Sequence, residues 1–160
     1  VPDPVNRAIA ARAAPAVRII LNAAPARPIA PDLMARIDVL IVNRGEAAAL
    51  AGTADPDVAA RRLLDQGPGA VIVTLGADGL ICARPGEALL TQGAPAVRVI
   101  STHGAGDAFV GALAAVLTQG TALPDALAFA QGMAALTVAT PPDARAAITP
   151  DAVRAFCASL

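Results

Sequence analysis

The most informative stretch of this sequence runs from Ser101 to Asp107 and reads STHGAGD. Three small residues at positions 104–106 come directly before an apolar run with helical spacing, which predicts a tight turn that opens a helix. Backbone N–H groups at a helix start lack partners and lie at the positive end of the helix dipole, where they favour an anion. The stretch therefore predicts a phosphate-binding turn, with Asp107 placed to accept a proton from an attacking hydroxyl.

Two other interpretations of this turn stay open on spacing alone. Gly104 and Gly106 would equally serve a plain tight turn, with Asp107 as a helix-start charge that contributes about 0.3–1 kcal/mol. A dinucleotide-binding GxGxxG fingerprint is the other alternative, and it fits poorly because its third glycine would fall at position 109, which is Phe109. Gly111 lies five positions after Gly106 rather than three.

Away from this turn, apolar runs alternate with helical segments along the chain. Alternating strands and helices predict an α/β protein with three layers and a mainly parallel sheet. Asp78-Gly79 is a hairpin signal, and the strands at 80–83 and 88–91, which flank a second turn at 84–87, are expected to be antiparallel at one edge of that sheet. The predicted strands cover 17–21, 39–42, 70–75, 80–83 and 88–91, and the predicted helices cover 4–14, 47–51, 55–66, 104–117, 124–138 and 150–160, with a loop at 22–28 and a helical turn at 32–36.

Composition narrows the class of protein. The 160 residues are 56% hydrophobic and 16% charged, which indicates one folded domain rather than a disordered chain. Twelve basic residues against 13 acidic ones give a net charge of -1, and three Phe are the only aromatics, so a nucleic-acid surface is not expected. All the basic residues are Arg, which excludes Schiff-base chemistry and the Walker A lysine. No apolar run reaches the roughly 18–20 residues of a membrane span, so we expect a cytoplasmic protein without a membrane partner.

The two cysteines, Cys82 and Cys157, lie far apart in the sequence and form no CxxC pair. We interpret them as two buried thiols of a reducing compartment. With one His and two separated Cys in the chain, a structural zinc site is not expected.

Several motifs give the chain a resemblance to the ribokinase (PfkB-type) carbohydrate kinases. Residues 101–113, STHGAGDAFVGAL, resemble the second signature of that family, D-T-T-G-A-G-D-x-F-x-G. Asn43-Arg44-Gly45-Glu46 resembles the family's N-x-x-E motif, and residues 71–79, VIVTLGADG, resemble its nucleotide-loop strand. Residues 22–26, NAAPA, are similar to the N-P-A-P-A stretch of ribokinases in particular, with one Pro replaced.

The resemblance covers essentially the whole chain and matches only the C-terminal half of that family. It implies a ribokinase-like, Rossmann-like α-β-α fold whose N-terminal part and lid are absent. Residues 1–160 are then expected to be a single domain, the nucleotide-binding half of a longer sugar kinase.

The resemblance also implies a catalytic role for the glycine turn. Asp107 would be the general base that deprotonates a primary hydroxyl of the sugar. The N–H groups around Gly104, Ala105 and Gly106 would form the anion hole for the transferred phosphoryl group. Fixed N–H dipoles suit this task, because a loose transition state spreads its charge over the phosphoryl oxygens.

For the cofactors, the resemblance implies ATP and Mg²⁺. Glu46 would help to hold the magnesium ion, through water, and Asn43 would approach the nucleotide phosphates. Taken alone, Glu46 is better explained as a helix-start charge, and the segment at 74–79 has the alternative of an ordinary turn from strand to hairpin. The expected nucleotide-binding residues are Asn43, Thr74, Gly76, Ala77, Asp78, Gly79, Gly106 and Gln131.

The chain departs from the family pattern at the monovalent-cation site. In ribokinases an Asp at the start of the signature helps to bind the activating cation, and this chain has Ser101 there. The later Gly-Ala segment that completes the site is not recognisable in residues 141–145, PPDAR. Both departures argue against potassium activation. His103, the only histidine, would contact a phosphate or face solvent from the turn.

Three functions follow from these observations. The first is ATP-dependent phosphoryl transfer to a primary hydroxyl of a sugar, with D-ribose favoured and fructose, another sugar or a nucleoside as alternatives. The second is a non-catalytic nucleotide-binding fragment without a sugar site, whose uncovered sheet edge would favour a homodimer or other self-association. The third is an unrelated α/β binding protein with a coincidental glycine-rich turn.

Overall fold

The computed structural model describes residues Asp3–Leu160 and divides into two compact units. The first, which we call the sheet unit, comprises the described residues up to Gly76 together with Leu80–Thr91. The second, which we call the helical unit, comprises Ala77–Gly79 and Gln92–Leu160. None of the described helices is long and apolar enough to cross a bilayer.

The sheet has five strands in the order in which they occur along the chain. The first three are parallel neighbours, and the third and fourth pair antiparallel as a hairpin. The predicted α/β class, with a mainly parallel sheet and an antiparallel hairpin, is therefore confirmed. The strands are β1 (Ile20–Asn22), β2 (Val39–Asn43), β3 (Val71–Thr74), β4 (Leu80–Ala83) and β5 (Leu90–Gln92).

Four helices accompany these strands in the sheet unit. The start of α4 is as predicted: the Asp55 carboxylate accepts from the N–H groups of Asp57 and Val58, and a proline follows the cap. α3 begins at Arg44 rather than at the predicted residue 47, because the side chain of Asn43 caps it. The helix α3 ends at Gly52, whose φ of 66° is the left-handed conformation that glycine adopts without strain. The four are α1 (Asp3–Arg12), α2 (Pro31–Met34), α3 (Arg44–Ala51) and α4 (Pro56–Leu64).

One face of the sheet carries a large hydrophobic cluster of the sheet unit. Side chains alternate between the faces of a strand, so Leu40 and Val42 from β2 and Val71 and Val73 from β3 point the same way. They pack in one buried cluster with Leu63 of α4 and with several alanines. Small alanine side chains allow helices to lie close to the sheet, which gives the alanine-rich composition a structural use.

The helical unit contains three helices, α5 (Ala105–Thr118), α6 (Leu123–Ala139) and α7 (Pro150–Ala158). α6 packs against both α5 and α7. At the crossing with α7, a Cβ on Gly132 would collide with Sγ of Cys157, so glycine is what lets the two helices approach.

Some predicted features differ in the structure. β1 covers Ile20–Asn22 rather than residues 17–21, because both the N–H and the carbonyl of Ile19 bond to Asp38 beyond the strand. β5 covers Leu90–Gln92 rather than 88–91. Of the two thiols expected to be buried, Cys82 is buried whereas Cys157 is only partly so, since it lies near the last turn of α7. A 3₁₀ helix at Pro142–Ala147 was not predicted.

Candidate functional site

The turn before α5 has the conformation that the sequence predicts. Gly104 occupies the N-cap with φ 79° and ψ 0°, a left-handed conformation that most side chains avoid. No side chain of the described residues caps this helix start. The N–H of Ala105 donates to the carbonyl of Thr102 at 3.4 Å. The N–H groups of Gly106 and Asp107 have no hydrogen-bond partner among the described residues and are open to an anion, and a Cβ built on Gly106 would meet nothing within 4 Å.

Burial of α5 fixes the direction of Asp107. Phe109, Leu113 and Val116 recur at helical spacing and are buried, whereas Asp107 and Gly106 are exposed. The carboxylate is thus the third helical residue of an open helix start and reaches solvent. This arrangement places a carboxylate at a helix start that has no side-chain cap.

Arg145 forms hydrogen bonds to the backbone around this turn, and the sequence did not predict this role. Its guanidinium donates from Nη1 to the carbonyl of His103 at 2.7 Å, from Nη2 to the carbonyl of Ser101 at 3.1 Å and from Nε to the carbonyl of Thr140 at 3.1 Å. The hydroxyl of Ser101 accepts from the N–H of His103 at 3.4 Å, and the His103 side chain is exposed. A single Arg far along the chain from the turn carries no sequence signal that would have identified it.

The N-x-x-E motif forms a capping box at the start of α3. Oδ1 of Asn43 accepts from the N–H of Glu46 at 2.9 Å, and Oε2 of Glu46 accepts from the N–H of Asn43 at 2.8 Å. The spacing of the motif therefore has a structural reason, and the helix-start interpretation of Glu46 describes its contacts. One carboxylate oxygen stays available for a water molecule.

Magnesium fits this donor set in one way only. Among residues 3–160, no group of three or more His, Cys, Asp or Glu residues lies close enough to hold a metal ion. A single carboxylate such as that of Glu46 suits Mg²⁺ when the ion keeps most of its waters and takes its remaining ligands from nucleotide phosphates.

Thr74 lies beside Asn43 at the carboxyl ends of two parallel strands. The two residues pair in register between β2 and β3, and Oγ1 of Thr74 donates to the carbonyl of Val42 at 3.4 Å. Ligands of α/β sheets bind at this end of the strands. The sheet unit thus brings together Asn43, Glu46 and Thr74.

The connection from β3 to β4 holds the other predicted nucleotide residues. Gly76 and Gly79 have φ values of 64° and 93°, and Gly76–Asp78, with Ala77 at its centre, forms a single exposed 3₁₀ turn. A Cβ on Gly79 would collide with the carbonyl oxygen of Gln92, so this position requires glycine for close approach as well as for its φ.

Gln131 is buried in the helical unit and belongs to a small amide network. Its Nε2 donates to Oε1 of Gln92 at 3.1 Å, and Nε2 of Gln92 donates to the carbonyl of Pro124 at 2.9 Å. The structure therefore gives Gln131 a protein partner, and a contact with adenine stays a prediction.

A cavity of about 160 Å³ lies in the sheet unit at the end of β1. Its wall includes Asn22, Ala23, Ala24 and Pro25, most of the N-P-A-P-A-like stretch. That stretch was predicted as a loop, and it lies at the carboxyl end of a parallel strand, where ligand sites of such sheets occur.

Comparisons with known proteins agree with these features. Residues 4–149 match the profile of the pfkB family carbohydrate kinases. The ribokinase of Haemophilus influenzae is 34% identical over 127 residues, 76% of this chain and 41% of that protein. The ribokinase of Schizosaccharomyces pombe is 37% identical over 131 residues, again 76% of this chain and 41% of that protein.

Solved structures give the same relationship. The structure of Arabidopsis thaliana ribokinase complexed with ribose and ATP matches with a TM-score of 0.88 at 29% identity. The match covers 98% of this chain and 53% of that one. The chain therefore spans about half the length of the relatives it matches.

Proposed function

This chain belongs to the pfkB family of carbohydrate kinases, and we propose that it takes part in transfer of the γ-phosphoryl group of ATP to a primary hydroxyl of a sugar. The observation that carries the proposal is the uncapped glycine turn before α5, with the exposed Asp107 in its first turn. D-ribose is the proposed acceptor, because the matched relatives are ribokinases and one of their solved structures is complexed with ribose and ATP.

In the proposed reaction, Asp107 is the general base. Its carboxylate accepts the proton of the sugar hydroxyl as the hydroxyl oxygen bonds to the γ-phosphorus, and the bond to the oxygen bridging the β- and γ-phosphates breaks to release ADP. The N–H groups of Gly104, Ala105 and Gly106 form the anion hole, with the N–H of Ala105 shared with the carbonyl of Thr102, 3.4 Å away. They stabilise charge on the transferred group without having to reorient, because the helix fixes their direction.

The other predicted residues are proposed to hold the nucleotide. Mg²⁺ supplies positive charge to the phosphates when bound, and Glu46 holds one of its waters with the carboxylate oxygen that the capping box leaves available. Asn43 and Thr74, paired in register, lie toward the phosphates at the carboxyl ends of their strands. The proposed nucleotide-lining residues are completed by Gly76, Ala77, Asp78, Gly79, Gly106 and Gln131.

A second candidate is a module that binds a nucleotide without transferring its phosphate. It is favoured by one observation, that the chain spans about half the length of its relatives. A sugar site built from the other half of such relatives would then be needed for turnover. This candidate shares the turn before α5 with the first and differs from it only in the absence of a reaction.

Two measurements on the same chain separate the candidates. Calorimetry with MgATP measures binding, and a coupled assay measures ADP release with ribose, fructose or a nucleoside as acceptor. If the chain is a kinase, it binds MgATP and releases ADP at a rate that rises with the concentration of acceptor and is highest with ribose. Binding without release supports the module, and the absence of both contradicts both candidates.

A further inference from the structure

Three backbone carbonyls next to the turn before α5 converge on one point. Two belong to the turn itself, at Ser101 and His103, and the third belongs to Thr140, directly after α6. The N–H groups of Ile100 and Ser101 both donate to the carbonyl of Val138 at 2.7 and 3.1 Å, so the two segments lie side by side here. The point of convergence is occupied by the guanidinium of Arg145.

The chemistry of this cluster is that of a cation site. Carbonyl oxygens only accept, and rings of backbone carbonyls are a ligand set with which proteins replace the water shell of potassium. A guanidinium carries a permanent positive charge and five N–H donors with no acceptor, so it matches the same oxygens with directed bonds. Each of the three guanidinium nitrogens of Arg145 donates a hydrogen bond to a different carbonyl.

Arg145 is held in this position by its own backbone. It lies in the 3₁₀ helix Pro142–Ala147, where the N–H of Ala144 donates to the carbonyl of Pro141 and the N–H of Ile148 to the carbonyl of Arg145, at 3.0 and 3.1 Å. Its Nη1 lies 3.7 Å from where a Cβ on Gly104 would be. The positive charge therefore lies directly against the N-cap of α5.

We infer that the guanidinium of Arg145 is a built-in cation for the turn before α5 and takes the place of a bound monovalent metal ion. The inference rests on the proposed function of that turn as an anion hole. Arg145 acts as a positioning residue: it contacts the carbonyls of the turn, fixes the peptide planes that aim the N–H groups, and adds positive charge behind them. Phosphoryl transfer should then need no added potassium.

The test compares wild type with Arg145→Ala in potassium chloride and in choline chloride at equal ionic strength. Wild-type kcat should be the same in both salts. Arg145→Ala should lose on the order of 10²-fold in kcat in choline, because the turn is no longer held in place, with the KM for the sugar little changed. Potassium, which can enter the emptied carbonyl cluster, should restore much of that loss. Arg154→Ala, which removes an exposed Arg paired with Asp151 on α7, is the matched control and should respond to neither salt.

A second readout does not depend on turnover. The thermal unfolding midpoint of the nucleotide-free chain should rise with potassium for Arg145→Ala and stay unchanged for wild type and Arg154→Ala. A chain without kinase activity but with this pattern would contradict the proposed function and keep the inference. Arg145→Gln, which retains a donor, replaces Arg145→Ala if the latter does not fold. Potassium dependence of wild type, or a folded Arg145 variant indifferent to potassium, would overturn the inference.

Discussion

Helices α3 and α5 have an acidic residue at the same distance from the N-cap, but only α3 is capped by side chains. In both, a carboxylate is the third helical residue after the N-cap: Glu46 follows Asn43, and Asp107 follows Gly104. In α3 the two side chains bond to each other's backbone N–H and close the helix start. In α5 the cap has no side chain, and the shorter Asp107 stays exposed. Identical spacing thus gives a structural cap where the N-cap has an amide, and a helix start without a side-chain cap where it is glycine.

The largest expected effect concerns the carboxylate at the open helix start. Asp107→Asn keeps the size of the side chain and removes its ability to take a proton, so kcat in the complete enzyme should fall by about 10²–10⁴-fold with MgATP binding nearly unchanged. Steady-state kinetics and calorimetry check the two halves of this expectation.

The matched control for Asp107→Asn is Asp125→Asn, since Asp125 is an exposed carboxylate in the first turn of α6. It should leave kcat unaltered. Near-normal turnover of Asp107→Asn would show that a helix-start charge is all that this carboxylate provides.

The next effect concerns the glycine at the open cap. Gly104→Ala forces a Cβ into a left-handed conformation, which costs about 1–2 kcal/mol of unfolding free energy, and it also tilts the N–H groups of the turn. Gly52→Ala meets the same strain at the end of α3, with open space around its Cβ. Chemical denaturation should show similar losses for both variants. Only Gly104→Ala should lose kcat. An equal loss of kcat in Gly52→Ala would show that backbone strain alone, and not a role of Gly104 in the site, explains the loss.

The two units can also be compared through their thiols. Burial raises the pKa of the Cys82 thiol in β4 to about 11 from an ordinary value of 9.0. The unfolded chain therefore loses this proton first, so the stabilisation is intact below pH 9 and is lost as pH rises toward 11, by up to about 2–3 kcal/mol. Denaturation at the two pH values checks this.

Variants of the two cysteines assign that loss to a side chain. Cys82→Ala should flatten the pH dependence between pH 9 and 11, whereas Cys157→Ala should keep most of it, because Cys157 is only partly buried. A flat profile in wild type would contradict the burial of Cys82.

The smallest change in stability is expected at the closed helix start. Glu46→Gln keeps the capping box, because a glutamine oxygen also accepts from the N-cap N–H, so unfolding free energy should change by less than about 0.5 kcal/mol. Glu46→Ala removes the box and should cost about 1 kcal/mol. If Glu46 also holds a magnesium water, both variants should need more Mg²⁺ for half-maximal turnover. An unchanged Mg²⁺ requirement in Glu46→Gln would show that Glu46 caps α3 and has no role in holding magnesium.

Local patterns account for what could be predicted. The Asp-Pro start of α4, the β3–β4 hairpin and the glycine turn each depend on residues within about four positions, and each is where the sequence predicts. The capping box of α3 is equally local, but the sequence predicts that helix only from residue 47, whereas it begins at Arg44. The start of β1 depends instead on a bond from Ile19 to Asp38, 19 positions away. The hydrogen bonds from Arg145 to the carbonyls of His103 and Ser101 join residues 42 and 44 positions apart. Nothing in the sequence near Arg145 distinguishes it from the other arginines. Such long-range bonds leave no trace in spacing.

The assignment of residues 77–79 to the helical unit has a practical consequence for dividing this chain. The boundary between the units crosses the polypeptide three times, after Gly76, after Gly79 and after Thr91. A gene truncated at Gln92 would yield the glycine turn and its arginine clamp without the loop whose Gly79 packs on the backbone of Gln92. No single cut, by protease or by cloning, gives two intact halves, so a study of the glycine turn in isolation would have to graft that loop back onto it.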